Sequence, residues 1–173
     1  MRKLVLLIVL ALAIPAAALA DDTTPAPSTQ DAAQAACSAQ RTALGDVAFK
    51  QLYGTNANKA NAFGKCVSKA SKSVEANDAA AVSTCKTEQA AGRDAFAKKY
   101  GTNKNGANAF GKCVSASSTD ADHADQAATI TAAKSCKTEQ ATGRDAFAKK
   151  YGTNANKSNA FGKCVSAKVK TTP

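Results

Sequence analysis

Three copies of one motif, each bounded by two cysteines, constrain the fold of this 173-residue chain more than any other feature. Copy 1 covers residues 37–66, copy 2 residues 85–113 and copy 3 residues 136–164. They end in YGTNANKANAFGKC, YGTNKNGANAFGKC and YGTNANKSNAFGKC, and together they hold all 6 cysteines, all 6 phenylalanines and all 3 tyrosines. Because sequences this similar fold alike, we expect one supersecondary unit repeated three times along the chain.

The first twenty residues have the pattern of an export signal. Two basic residues precede an apolar run over residues 4–14, and small side chains at Ala18 and Ala20 precede the expected cleavage before Asp21. The apolar run is too short to span a bilayer, so we predict a signal peptide over residues 1–20 and no transmembrane anchor. The mature protein is then expected outside the cytoplasm, either secreted or associated with the cell envelope.

Export decides how the six cysteines are interpreted, because an even number of cysteines outside the cytoplasm indicates a disulfide framework. The separation is 29, 28 and 28 residues within the copies, but 19 and 23 residues between them. A covalent unit that is copied intact keeps its internal spacing, which predicts the pairs Cys37–Cys66, Cys85–Cys113 and Cys136–Cys164. The alternative, pairing across the connecting segments, would force Cys37 to meet Cys164. We expect neither a metal nor a cofactor, since structural zinc needs four close ligands and His123 is the only histidine.

The local pattern within each copy is helical. Phe110, Cys113 and Val114 fall at positions i, i+3 and i+4, which is one face of a helix, and Phe96 and Tyr100 lie one turn apart. The asparagine-rich segment between them is typical of a turn. The same pattern recurs in copies 1 and 3, with Asn61, Asn108 and Asn159 placed to cap the second helix. We therefore predict an all-α protein made of three tandem, disulfide-stapled helix-turn-helix repeats.

A difference in spacing predicts a break in the first helix of each copy. The first cysteine and the following phenylalanine are 12 residues apart in copy 1 but 11 in copies 2 and 3. One residue rotates a helical face by about 100°, so an unbroken helix would lose its register. The break is expected at Gly45, Gly92 and Gly143, with Asp94 and Asp145 capping the short helix that follows.

The segments outside the copies are rich in alanine, serine and acidic residues. Alanine favours helix, so we predict partly helical connectors with frayed ends over residues 67–84 and 114–135. Residues 21–36, which include two prolines, are predicted to be disordered, and residues 165–173 form a C-terminal tail.

The string YGTN, followed by an asparagine-rich turn and NAFGKCVS, resembles a segment of a group of secreted, alanine-rich bacterial proteins of unknown function. The resemblance covers the three copies and not the connectors. It implies export and a repeated structure, and it transfers no activity, ligand or catalytic residue.

Catalytic groups are missing from the recurring pattern. The acids that recur in all copies, Asp46, Asp94 and Asp145, are explained as helix caps, and no serine recurs beside a histidine. His123 lies among small polar residues in a connector, where a solvated side chain is the simpler interpretation. We therefore predict that the protein is not an enzyme.

Side-chain amides beside a tyrosine are the most suggestive polar feature of each copy, because they could hydrogen-bond a glycan while the ring packs on a sugar. The candidate ligand-binding residues are Tyr53, Asn56, Asn58, Lys65, Tyr100, Asn103, Asn105, Lys112, Tyr151, Asn154, Asn156 and Lys163. The alternative is that the asparagines serve only turn formation and capping. Calcium is disfavoured because these turns contain no carboxylate.

Positive charge belongs to the motif. The copies carry +3, +4 and +4, whereas the connectors carry 0 and −2, and loss of the leader would lower the formal net charge from +10 to +8. Such a surface attracts anionic polymers, and outside a cell these are wall polymers, acidic glycans and anionic lipid. We predict a non-enzymatic, multivalent binding or structural module for anionic cell-envelope or extracellular polymers, without specific nucleic-acid recognition. The alternatives are a secreted effector or inhibitor of antimicrobial type and an enzyme acting on the cell wall.

Overall fold

The computed structural model describes residues 28–171, and this part of the chain is entirely helical apart from its turns. Seven α-helices follow in order: α1 Thr29–Leu44, α2 Asp46–Tyr53, α3 Ala62–Ala91, α4 Arg93–Tyr100, α5 Ala109–Thr142, α6 Arg144–Tyr151 and α7 Ala160–Lys170. The all-α prediction is confirmed for these residues. The predicted signal peptide lies outside the described residues.

The prediction of disorder over residues 21–36 is wrong from residue 29 onward. Helix α1 begins there because the hydroxyl of Ser28 accepts a hydrogen bond from the backbone N–H of Asp31 at 3.2 Å, an N-cap. The helix buries Ala33 completely, so packing holds the first turns in place. The remainder of the predicted disordered segment, residues 21–27, lies outside the described residues.

The connectors are helical throughout, which corrects the prediction of frayed ends. Residues 67–84 lie inside the 30-residue helix α3, and residues 114–135 lie inside the 34-residue helix α5. Neither segment contains glycine or proline, and each buries small side chains, such as Ala81 in α3 and Ala132 in α5. Good helix formers with a packed face leave no reason for the helix to end.

Helices α3 and α5 are antiparallel and form the centre of the molecule with α1 against both of them. Polar contacts between the two long helices show the direction. Ser73 donates a hydrogen bond to Asp125 at 2.6 Å, and Asn77 donates to Asp122 at 2.8 Å. Because α3 ends in copy 2 and α5 ends in copy 3, copies 1 and 3 lie at one end of the bundle and copy 2 lies at the other.

Copies 1 and 3 share a hydrophobic core. Leu44 and Ala48 of copy 1 belong to the same buried cluster as Phe161 and Val165 of copy 3, and Leu52 packs against it. Copy 2 has a small core of its own, built around its disulfide and Phe96. The three copies are therefore not independent beads on a string.

This packing explains where copy 1 departs from the motif. Leu44 stands where copies 2 and 3 have alanine and threonine, and Leu52 stands where they have Lys99 and Lys150. Only in copy 1 do these positions face another copy. The lysine of copies 2 and 3 is exposed, whereas a lysine at position 52 of copy 1 would lose its water to the contact with copy 3, so a leucine stands there.

The glycine breaks predicted from the changed spacing are confirmed. Helix α1 ends seven residues after Cys37, whereas α3 and α5 end six residues after Cys85 and Cys136. Gly45 then adopts φ +76°, whereas Gly92 and Gly143 are extended at φ −179° and −176°. A left-handed conformation, which glycine adopts without steric cost, thus absorbs the additional residue of copy 1.

The aspartates do not cap the short helices. Glycine occupies the N-cap position of α4 and α6, and Asp94 and Asp145 lie at their second residue without a capping hydrogen bond. A carboxylate inside the first turn still interacts favourably with the helix dipole.

Three disulfides join Cys37 to Cys66, Cys85 to Cys113 and Cys136 to Cys164. These are the pairs that the constant internal spacing predicts. All six sulfurs lie in buried residues, and each bond ties the last turns of one long helix to the start of the next. Three disulfides indicate an oxidising, extracytoplasmic environment. Among the described helices, none is long and apolar enough to cross a membrane.

Candidate functional site between two motif turns

The turn that follows each short helix has one tightly constrained glycine. A Cβ atom on Gly101 would lie 2.4 Å from the carbonyl oxygen of Ala97 and 2.7 Å from the Cα of Gly106. No side chain fits there, which explains the glycine after every motif tyrosine. Five residues later the backbone is left-handed in each copy, and the residue there is Lys59, Gly106 or Lys157.

One asparagine organises each turn. The Oδ1 atom of Asn61 accepts hydrogen bonds from the backbone N–H groups of Thr55 at 3.0 Å and Asn56 at 3.4 Å, while its Nδ2 donates to Thr55 Oγ1 at 2.7 Å. Asn108 and Asn159 make the same contacts. The prediction that these residues cap the following helix is wrong, because their side chains reach back to close the loop instead of forward to α3, α5 or α7.

A second asparagine in each turn has a local role. The Oδ1 atoms of Asn58, Asn105 and Asn156 each accept a hydrogen bond from the backbone N–H two residues later, at 3.0, 3.2 and 3.1 Å. These are the turn contacts that were the alternative to ligand binding. Their amide oxygens are therefore engaged, although the residues themselves are exposed.

The third asparagine differs between copies. Within residues 28–171 no hydrogen bond engages the side chains of Asn56 and Asn103, whereas Asn154 Nδ2 donates to Ser158 Oγ at 3.0 Å. All three are exposed. The amides of Asn56 and Asn103 are therefore both exposed and without a hydrogen bond within the described residues.

The tyrosines face inward. Tyr53 is buried and donates a hydrogen bond from its hydroxyl to Gln40 Oε1 at 2.5 Å. Desolvation raises the pKa of Tyr53 to about 12, and the bond to Gln40 opposes this increase. Tyr100 and Tyr151 are half-buried and donate to Glu88 and Glu139. The rings pack on the neighbouring phenylalanine, so none of them forms an open platform for a sugar.

In copies 2 and 3 a lysine completes this contact. Lys99 lies 2.7 Å from Glu88, and Lys150 lies 2.7 Å from Glu139. The hydrogen bond from the lysine is the main cause that lowers the pKa of each glutamate. These contacts of glutamate, lysine and tyrosine were not predicted from the sequence, although a signal was present. Copy 1 has Gln40 and a leucine at the two positions where copies 2 and 3 have glutamate and lysine.

The turns of copies 1 and 3 face each other across a cleft of about 460 Å³. Copy 1 contributes Thr55 and Lys59, and copy 3 contributes Asn154, Ser158 and Lys163. Hydroxyl, amide and amino groups dominate its walls, and none of its described lining residues carries a carboxylate. The packing of the two copies thus brings two basic turns together, which neither turn's sequence indicates alone.

Positive charge converges on this cleft. Lys59 is held at its wall by a hydrogen bond from Nζ to the carbonyl oxygen of Gly54 at 2.9 Å. Lys163 is exposed in the first turn of α7, where the helix dipole adds further positive potential. Anions are the ligands that such a surface favours.

Of the twelve predicted ligand residues, the structure places only Asn154 and Lys163 in this cleft. Asn103 and Asn105 line a separate, open depression at copy 2, together with Lys104, Lys98 and the acidic Asp94. Lys65 and Lys112 are exposed but line neither cavity. The three turns are therefore not equivalent as binding surfaces.

The structure shows the surroundings of two groups that were considered for catalysis, His123 and Asp46. His123 is exposed on α5, and Asp46 is paired with Arg41 by a hydrogen bond of 2.5 Å. Residues 28–171 contain no group of three histidine, cysteine or acidic side chains that could hold a metal ion. Comparison of the chain with protein-family models, curated proteins and solved structures found no match.

Proposed function

We propose that this protein is an exported, non-enzymatic module that binds anionic polymers of the cell envelope or its surroundings. The observation that supports this most directly is the cleft between copies 1 and 3. It is lined by amides, hydroxyls and two lysines, and no described carboxylate opposes an anion there. In this proposal, residues 1–20 direct export and the three motif copies are duplicated units of which two have joined to form one site.

The distribution of charge supports two binding regions instead of three equal sites. Copies 1 and 3, with charges of +3 and +4, lie at one end of the bundle, and copy 2, with +4, lies at the other. The connecting segments carry 0 and −2. Cys113 and Cys136 are 23 positions apart along α5, which separates the two ends by about 35 Å. A polyanion long enough to reach both ends would bind with avidity.

The test is binding of the oxidised chain to immobilised polymers over a series of salt concentrations. A polyglycerol phosphate and a carboxylated glycan serve as anionic probes, and a neutral glycan serves as control. Lys163→Gln should weaken binding to the anionic probes about tenfold, because the loss of one charge-assisted contact costs about 1.4 kcal/mol. Screening by salt should weaken binding of the unchanged protein as well.

Lys65→Gln is the matched control. Lys65 occupies the same motif position in copy 1 and is exposed, but it does not line the cleft. It should reduce affinity only by the general effect of one unit of charge. Equal losses for Lys65→Gln and Lys163→Gln would remove the cleft from the proposal, and binding that ignores salt or prefers the neutral glycan would remove the function.

A further inference from the structure

Copy 2 differs from its neighbours at the left-handed position of its turn. Lys59 and Lys157 have φ of +58° and +55°, and Gly106 has φ of +65°, so the backbone is the same in all three. In each case the N–H of this residue donates to the carbonyl three residues earlier, at 3.1 Å. The three turns thus form a comparison within one chain in which the backbone stays the same while the residue at the left-handed position changes from lysine to glycine.

The lysines restrain their turns and Gly106 cannot. Lys59 Nζ donates to Gly54 O at 2.9 Å, and Lys157 Nζ donates to Gly152 O at 3.1 Å. Gly106 has no side chain with which to make this bond to Gly101. The N–H of Gly106 donates one hydrogen bond, to the carbonyl oxygen of Asn103. This bond has to open before the nitrogen of Gly106 becomes available, and exposed loops open at low cost.

The side chain of Asn105 is folded back over its own turn. Its Oδ1 accepts a hydrogen bond from the N–H of Ala107 at 3.2 Å, and because Asn58 and Asn156 make the same contact, the three amides start from the same local arrangement. Asn105 is exposed, which gives water access to the same atoms. No Cβ on residue 106 crowds the approach.

We propose that Asn105 is a site of spontaneous deamidation in the folded protein, and that Asn58 and Asn156 resist it. The nitrogen of Gly106 loses its proton to a solvent base and attacks Cγ of Asn105. The new C–N bond closes a succinimide ring as the side-chain nitrogen takes up a proton and leaves as ammonia. Water then opens the ring at either carbonyl, giving aspartate or isoaspartate. One water is consumed and one ammonia is released, without oxidation or reduction.

The reaction changes the surface of copy 2 only. A new carboxylate enters the depression that Lys98 and Lys104 line, and isoaspartate also lengthens the main chain inside the turn. The additional methylene disrupts the hydrogen bond between Asn105 and Ala107. One consequence rests on the proposed function. As the protein ages, the end of the bundle that carries copy 2 would bind polyanions more weakly.

The experiment is incubation of the oxidised, full chain in mildly alkaline buffer made with ¹⁸O-labelled water, followed by peptide mapping with mass spectrometry. The label marks conversion that took place during the incubation, and isoaspartate, which direct hydrolysis of the amide cannot give, identifies the ring intermediate. Asn105 should convert at least about tenfold faster than Asn58 and Asn156, equivalent to about 1.4 kcal/mol in the barrier. Gly106→Lys should bring the rate at Asn105 down to theirs. A Cβ at residue 106 would lie 2.9 Å from Cβ of Ala97, so the turn has to shift slightly, and copy 3 holds Lys157 in the same backbone conformation with Ala148 at the position of Ala97.

Equal conversion at the three asparagines would overturn the proposal. So would an intact Asn105 in the folded chain under conditions in which the reduced and unfolded chain is converted, since the fold would then protect the site. These readouts do not involve polymer binding, so failure of the proposed function would leave them unaffected.

Discussion

Replacement of Leu44 by alanine tests whether copies 1 and 3 share a core. Leu44 is only 7% exposed and belongs to the cluster that contains Phe161 and Val165 of copy 3. The change removes the transfer free energy of the buried carbons and leaves a cavity, and such substitutions cost 2–5 kcal/mol, so we expect about 3 kcal/mol. This is a large part of the stability of a typical domain, about 5–15 kcal/mol.

The assay is urea unfolding of the oxidised chain, followed by far-ultraviolet circular dichroism, with thermal unfolding beside it. A loss of about 3 kcal/mol should lower Tm by about 6–12 °C in a domain of this size. Val47→Ala is the control within the same segment, because Val47 is 74% exposed, and it should change the free energy of unfolding by less than about 0.5 kcal/mol.

A double-mutant cycle identifies the partner. Val165→Ala in copy 3 removes the opposite wall of the same cluster, so the combined variant should lose less than the sum of the two single losses, with a coupling of about 1 kcal/mol. Additive losses, or a Leu44→Ala variant as stable as the unchanged protein, would refute the shared core.

Three further outcomes follow from individual contacts. Replacement of Cys85 and Cys113 by serine should lower the free energy of unfolding by about 3 to 4 kcal/mol in the chain-entropy model, and an unchanged urea midpoint would contradict this. Glu88→Gln should lower the unfolding midpoint at neutral pH. Because the pKa of Glu88 is lowered in the folded state, its contribution is present above its ordinary value of 4.5 and is lost as the pH falls through the folded value, so the two proteins should converge in acid. Gly111→Ala should raise the free energy of unfolding by about 0.5 kcal/mol, because nothing lies near the new Cβ. Gly162→Ala should raise it less in the same assay, because its Cβ would lie 3.4 Å from a carbonyl oxygen of α2.

Much of the local structure was predictable because it depends on neighbouring residues. The break at Gly45 followed from one extra residue between a cysteine and a phenylalanine, since helical register is a property of spacing alone. The disulfide pairs followed from constant separations. The role of Asn61 was mistaken because a residue just before a helix can bond forward to the helix or back to the turn, and the sequence does not distinguish the two.

The disorder predicted for residues 29–36 failed for a different reason. Composition describes how much apolar surface a segment can bury, but Ala33 is buried because α3 and α5 lie beside it. A small residue does not by itself indicate that it is buried, and its burial can be recognised only when the neighbouring helices are known. The candidate ligand residues are unequal for the same reason, since Asn154 and Lys163 line the cleft through the approach of copy 1, and Asn56 does not line it.

The sequence by itself determined the helices within the motif copies, their breaks, the covalent pairs and the basic character of the motif, because each depends on residues close together in the chain or on spacing. Only the tertiary structure decided that copies 1 and 3 meet while copy 2 stays apart. The antiparallel direction of α3 and α5 brings copies 1 and 3 to the same end of the bundle. Contacts such as the hydrogen bond from Asn77 to Asp122 join the two helices in that direction. As a result, three motif copies of similar sequence have different surfaces. Leu44 and Leu52 pack against copy 3, and no equivalent pair packs against copy 2 in the described residues.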